Sequence, residues 1–141
     1  MRTVPYKPEH LISLSLQPAQ QYLGGFVTQA YADALARYDS YTIMDDAGAI
    51  VACAGILPQW QNRAFGWSFI AADAGRHFTY IHRAVSAFLD RVPVRRIETT
   101  VDCEFAAGHR WARLLGFSLE AERMRGYRVD GGDCALYARV K

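Results

Sequence analysis

The chain has 141 residues, of which 51% are hydrophobic and 21% charged, and a formal net charge of +2. That length suffices for one domain with a buried core, and no apolar run is long enough to span a bilayer. The charge balance is too mild, and too little interleaved with aromatics, for the footprint of a nucleic-acid binder.

Of the 16 basic residues only Lys7 and Lys141 are lysines. The three cysteines, Cys53, Cys103 and Cys134, are odd in number and show no Cys-x-x-Cys spacing, which points away from a disulfide framework and from a zinc site. Each lies in or beside a strand-like apolar run and reads as a small buried hydrophobe kept reduced. His77, His82 and the cysteines form no metal set, and His10 has no partner at ligand spacing. Met1–Tyr6 lacks the apolar core of a signal peptide. A soluble cytoplasmic protein is the expectation.

In chain order, Arg2–Tyr6 reads as a strand. Pro8 and Glu9 suit the first turn of a helix that continues through Leu11, Ile12 and Leu14. Gln17–Gly25 carries no clear periodicity. Phe26–Tyr38 reads as a helix with Phe26, Ala30, Tyr31, Ala34 and Leu35 on its apolar face. Tyr41–Met44 and Ala49–Leu57 form a hairpin around Asp45–Gly48, with glycine available for positive φ. The return strand is nearly all apolar and therefore central. Pro58–Arg63 reads as a loop and Ala64–Ala71 as an aromatic strand. Gly75–Arg91 is the strongest helix, with Phe78, Ile81, Val85, Phe88 and Leu89 on one face, and Pro93 follows its end. Arg96–Val101 is a strand with β-branched residues.

The crossover from Ala64–Ala71 through the helix to Arg96–Val101 makes those two strands parallel. Hairpins on either side make the sheet mixed. Without linker, repeat or low-complexity segment, residues 1–141 read as a single α/β domain.

The C-terminal third, Asp102–Arg139, holds a short amphipathic helix, Ala106–Leu115. It stops at Gly116, where a left-handed residue is needed. Phe117 opens a strand, and a hairpin turns at Asp130-Gly131-Gly132. This succession of helix, Gly-Phe, strand, turn and strand resembles the C-terminal half of the GNAT N-acetyltransferase superfamily. Its compact length, the long helix after an aromatic strand, and His109-Arg110-Trp111 before Gly116-Phe117 are also similar to small phage-encoded GNAT-like proteins, some of them internal virion components.

The resemblance implies a single-domain mixed sheet with a central splayed parallel pair, and a function: acetyl-coenzyme A-dependent N-acyl transfer to an amine, on a small molecule or a protein, with no metal. The alternative it implies is an inactive GNAT-like binding or structural protein, located in the virion interior if phage-derived. Strand pairing between final hairpins offers a route to a homodimer.

The resemblance also assigns residues. Coenzyme A would lie along the strand end Phe69, Ile70 and Ala71, opposite Thr100. Its pyrophosphate would meet the turn and helix start at Ala74, Gly75, Arg76, His77 and Phe78, because a helix N-terminus offers free N–H donors. The superfamily's loop there is Arg/Gln-x-x-Gly-x-Gly/Ala. Here Ala72 stands in the first place, His77 in the last, and Gly75 alone is retained. Asp73 is the expected helix cap.

Ala112 stands where the superfamily places a tyrosine that protonates the leaving thiolate. Tyr127 and Tyr137 are the substitutes expected from the hairpin. Glu98, Asp102 and Glu104 flank the strand end as candidate bases, with Glu98 preferred, and His109 has an ordinary histidine's suitability for base work.

Overall fold

The structure is a computed structural model that describes all 141 residues, Met1–Lys141. Alternating and continuous apolar runs form seven strands: β1 (Arg2–Pro5), β2 (Ser40–Met44), β3 (Ile50–Trp60), β4 (Arg63–Ile70), β5 (Arg96–Asp102), β6 (Ser118–Met124) and β7 (Cys134–Val140). The helices are α1 (Pro8–Ile12), α2 (Gln29–Leu35), α3 (Phe78–Arg91) and α4 (Ala106–Leu114). The sheet order is β1-β2-β3-β4-β5-β7-β6. β4 and β5 are its parallel pair, registered at Arg63↔Arg96, Ala64↔Ile97 and Phe65↔Glu98. A mixed sheet with one parallel pair and flanking helices is the architecture expected from the order of elements. No helix is long and apolar enough to cross a membrane.

The chain divides into two compact units. One comprises Met1–Leu57 and Trp67–Val92, the other Pro58–Gly66 and Pro93–Lys141. In the first, Leu11, Leu35, Ile43, Cys53, Phe69 and Ile81 are all at most 4% exposed. α3 turns Ile81, Val85, Phe88 and Leu89 inward. Phe78, expected on that face, is instead 39% exposed, because it begins the helix. Tyr41 packs on Phe88 at 4.9 Å and Tyr6 on Trp67 at 5.6 Å between ring centroids. In the second unit, β7 is the buried strand, with Cys134, Ala135, Tyr137 and Ala138 inside, while β6 is the outer, exposed one. Ala112, Leu115 and Phe117 complete that core.

Several boundaries move for local reasons. The helix expected over Phe26–Tyr38 shrinks to Gln29–Leu35. Thr28 caps it by accepting from the Tyr31 amide at 3.2 Å, and a side-chain cap fixes a helix start against a longer apolar pattern. Pro58–Arg63 is mostly strand: β3 runs to Trp60, and only Gln61–Asn62 turn before β4. The Arg63 guanidinium lies 4.7 Å over the Trp60 ring across that turn. The long helix begins at Phe78, and Ala74–His77 form a 3-10 turn before it. Gln17–Gly25, without periodicity, contains a second 3-10 turn at Pro18–Leu23. Gly116 takes φ 88° beyond α4, as the sequence requires, and Gly131 takes φ 88° in the final turn.

Candidate functional site

The first unit carries every residue expected to hold coenzyme A except Thr100. Phe69, Ile70 and Ala71 are 4%, 8% and 6% exposed, so their side chains belong to the core and only their backbone could meet a ligand. That backbone has internal partners. In an extended strand alternate residues present N–H and C=O to the same edge. On one edge the Ala71 amide donates to Val51 O at 2.9 Å.

The opposite edge, with Ser68, Ile70 and Ala72, is covered by the segment Ser15–Gln20. Gln20 donates through Nε2 to Ser68 O at 2.7 Å. Its Oε1 accepts from the Ile70 amide at 3.0 Å and from Gln17 Nε2 at 3.1 Å. The Gln17 amide donates to Ile70 O at 2.9 Å and the Ala72 amide donates to Ser15 O at 2.8 Å. Leu16 and Ala71 form the antiparallel bridge at the centre of this contact.

The start of α3 is built differently from the expectation. Asp73 precedes the 3-10 turn and makes no side-chain cap hydrogen bond. His77 is the residue before α3 and caps nothing with its ring; its Nε2 is buried without a hydrogen-bond partner. Ala74 is 3% exposed, whereas Gly75 and Arg76 are exposed. A Cβ added at Gly75 would meet nothing within 4 Å, and its φ is not positive. Neither space nor backbone angle demands glycine there; its absent side chain leaves room above the turn. Phe78 stacks on His82 at 6.5 Å.

An aromatic wall lies on β4, α2 and the residues before α2: Trp67 and Phe69 are 5.9 Å apart, Phe69 and Tyr31 6.3 Å, and Tyr31 and Phe26 5.2 Å. The Trp67 Nε1 in this wall is buried with no partner. Behind it His10 Nδ1 meets Thr42 Oγ1 at 2.8 Å, and Thr42 meets Cys53 Sγ at 3.6 Å. Burial lowers the pKa of His10.

The second unit holds the candidate proton carriers. Glu98 is 9% exposed. Its Oε1 accepts from Arg63 at 2.8 Å and its Oε2 from Arg96 at 2.6 Å. Arg63 first, and Arg96 after it, hold the carboxyl below the usual carboxylate range. Arg96 also bridges to Glu120, at 3.0 Å through Nη1. A carboxylate so clamped is a poor proton acceptor, so its geometry is that of an ion-pair network. Asp102 pairs with Arg128, and Glu104 is exposed, 3.6 Å from Arg123.

Tyr137 is fully buried. Its hydroxyl lies 2.7 Å from His109 Nδ1, while His109 Nε2 lies 3.0 Å from the Cys103 carbonyl. A carbonyl only accepts, so Nε2 carries a proton. In the neutral imidazole Nδ1 then accepts from the tyrosine. Tyr127 is 52% exposed, beyond β6. Thr100 is half-buried on β5, paired with Leu136 of β7. Burial pushes the Cys53 and Cys134 thiols up to about 11, so neither is a thiolate at neutral pH. No three His, Cys, Asp or Glu side chains come together as a metal set.

Gln17 and Gln20 are not among the residues expected at the site from sequence. The signal was present: Leu14-Ser15-Leu16 alternates like a strand, and Pro18 then starts a turn that returns Gln20 to the same edge. The His109–Tyr137 pair was split, because a histidine on one helix and a tyrosine on a later strand share no local pattern.

No family model matches the chain, and no curated protein matches it. Solved structures do. The chain is similar to Ard1 from Thermoplasma volcanium with a TM-score of 0.78 at 17% identity, over 99% of this chain and 96% of the other. It is similar to a GNAT-family acetyltransferase from Bacillus anthracis with a TM-score of 0.72 at 13% identity, over 98% and 93%. It is similar to the ribosomal-protein-S5-alanine acetyltransferase from Vibrio fischeri with a TM-score of 0.72 at 13% identity, over 98% and 91%. At such identities the likeness is one of fold, and the fold is that of the GNAT acetyltransferases.

Proposed function

We infer that this chain is an N-acyltransferase, acting as one domain over residues 1–141, that moves an acyl group from acyl-coenzyme A to an amine. The observation that carries the reading is the behaviour of β4. Its parallel register with β5 ends at Phe65↔Glu98 although the strand runs on to Ile70, so on that edge its last backbone groups are met by Ser15–Gln20 rather than by a strand of the sheet. An extended ligand bearing amides is the chemistry such an edge accepts. The turn that follows supports the same reading, with open space at Gly75, an exposed Arg76, and an α3 start that the His77 ring does not cap.

The residues do not fit coenzyme A as they stand. Ser68 O, Ile70 N, Ile70 O and Ala72 N all have internal partners. When bound, the group supplies a thioester as acyl donor. Of this chain's own residues, the Ile70 amide, now given to Gln20 at 3.0 Å, would be the donor for an acyl oxygen if that bond were released. Of the two tyrosines, Tyr127 is the one exposed to solvent, and it is the candidate to give a proton to a leaving thiolate. Tyr137 already donates to His109 and is closed to solvent. The wall of Phe26, Tyr31 and Phe69 suits an acceptor whose amine is carried on an apolar body.

A thermal melt with acetyl-coenzyme A tests the reading. A ligand of the folded state raises stability by mass action, about 2.7 kcal/mol at a hundred times Kd, or roughly 5–10 °C for a chain of this size. An unmoved transition at millimolar ligand, in the parent and in a variant with the β4 edge uncovered, contradicts it and leaves the chain a binding or structural protein.

A further inference from the structure

The segment Ser15–Gln20 occupies the edge of β4 that the proposed function needs, and it does so with a ligand's chemistry. The Gln20 primary amide gives its N–H to Ser68 O at 2.7 Å and takes the Ile70 N–H on its oxygen at 3.0 Å. A secondary amide in an extended chain offers one donor and one acceptor of the same kinds. The Gln17 amide and the Ser15 carbonyl continue the pattern onto Ile70 O and Ala72 N, at 2.9 and 2.8 Å.

What holds this segment down is equally informative. From Ile12 to Tyr31 no residue is buried; the flanking anchors are Leu11, 2% exposed, and Ala32, 0% exposed. The contact therefore consists of exchangeable hydrogen bonds without a core side chain. Such a bond contributes about 1 kcal/mol net, and regions so held are the ones that open locally. Gly24 and Gly25 lie within the same stretch, where glycine leaves the backbone more conformational freedom than any other residue.

We propose that Ser15–Gln20 is a displaceable strap that closes the β4 edge by mimicking an amide-bearing ligand, and that the amides of the coenzyme A arm take its place when the protein loads. The strap is thus an autoinhibitory contact, and it sets the ligand class: a chain must carry amides to recover the bonds that the strap gives up. The inference rests on the acyl-coenzyme A reading above.

The test is calorimetric titration of coenzyme A into the parent, Gln20→Ala, Gln20→Glu and Gln17→Pro. Gln20→Ala removes both side-chain bonds. Gln20→Glu keeps the size and loses the donor to Ser68 O. Gln17→Pro removes the N–H to Ile70 O at a residue whose φ of −57° already suits proline. Thermal melts of each variant confirm folding. Hydrogen exchange of the parent, with and without coenzyme A, follows the peptides over residues 13–20 and 68–72.

The strap account expects each variant to bind at least fivefold tighter than the parent. It also expects coenzyme A to speed exchange over 13–20 while 68–72 stays protected. Equal affinities with unchanged exchange over 13–20 overturn the strap alone and leave coenzyme A a ligand of some other edge. No binding to any folded variant overturns the coenzyme A reading, and the segment is then a permanent part of the fold.

Discussion

Glu98 shows how one buried side chain changes the meaning of a sequence position. At the end of a β-branched strand it reads as a base beside a cleft. In the fold it is clamped by Arg63 and Arg96, the latter also holding Glu120, and no local pattern announces Arg63, which lies 35 positions away. Replacing Glu98 with Gln removes the charge that both guanidinium groups share. The expected cost is about 1–2 kcal/mol, because both arginines remain reachable by water. The pH dependence follows from the depressed carboxyl. Its contribution is complete above the ordinary glutamate value of about 4.3, and it disappears as pH falls through the lower folded value. Urea unfolding at pH 7 and at pH 3 checks this: the gap between parent and Glu98→Gln closes at the acid end, and an unchanged gap contradicts the clamp. Tyr137→Phe tests the other buried pair. It leaves His109 Nδ1 without its donor and costs about 1 kcal/mol. In a double-mutant cycle with His109→Gln the two costs fall short of additive, and full additivity would show that the 2.7 Å contact contributes nothing.

At the scale of elements, what was legible followed how strongly the local code speaks. α4 and its stop at Gly116 were readable because an amphipathic run followed by glycine has a backbone cause, and Gly116 indeed sits at φ 88°. Gly116→Ala places a side chain in that left-handed conformation with its Cβ 3.2 Å from Arg139 Nε. The expected loss is about 1–2 kcal/mol, read as a lower urea midpoint with unchanged slope; a neutral substitution would mean the cap is not needed. The long helix was over-read by its first turn, since a 3-10 turn and an α-helical turn share nearly the same apolar spacing. The strap leaves only a faint trace in the sequence, the alternation at Leu14-Ser15-Leu16, because its partners are backbone groups and side-chain amides rather than an apolar face. The same cause hid the occupied edge of β4. Core-facing residues predict a strand, but they say nothing about who pairs with its backbone.

For the molecule as a whole, element order and the single parallel pair were readable because crossover handedness and hairpin adjacency prune the topologies. The placement of β7 between β5 and β6 was not, since nothing in the periodicity of a final hairpin says which of its strands turns inward until burial is known. The buried Tyr137 and the exposed, bulged β6 decide it. No family model matches, yet the fold is shared over nearly the full length of this chain at 13–17% identity. The proposed backbone-mediated recognition is compatible with such drift: a ligand held by N–H and C=O groups places little demand on the side chains around it. The most direct test of acyl transfer is release of the coenzyme A thiol from acetyl-coenzyme A, measured against a panel of primary amines with the acetylated product quantified in parallel. The account predicts amine-dependent thiol release, one equivalent per acetylated amine, faster in Gln20→Ala than in the parent and at least tenfold slower in Tyr127→Phe, about 1.4 kcal/mol of transition-state stabilisation. Thiol release that no amine accelerates, in the parent and in Gln20→Ala alike, would contradict it.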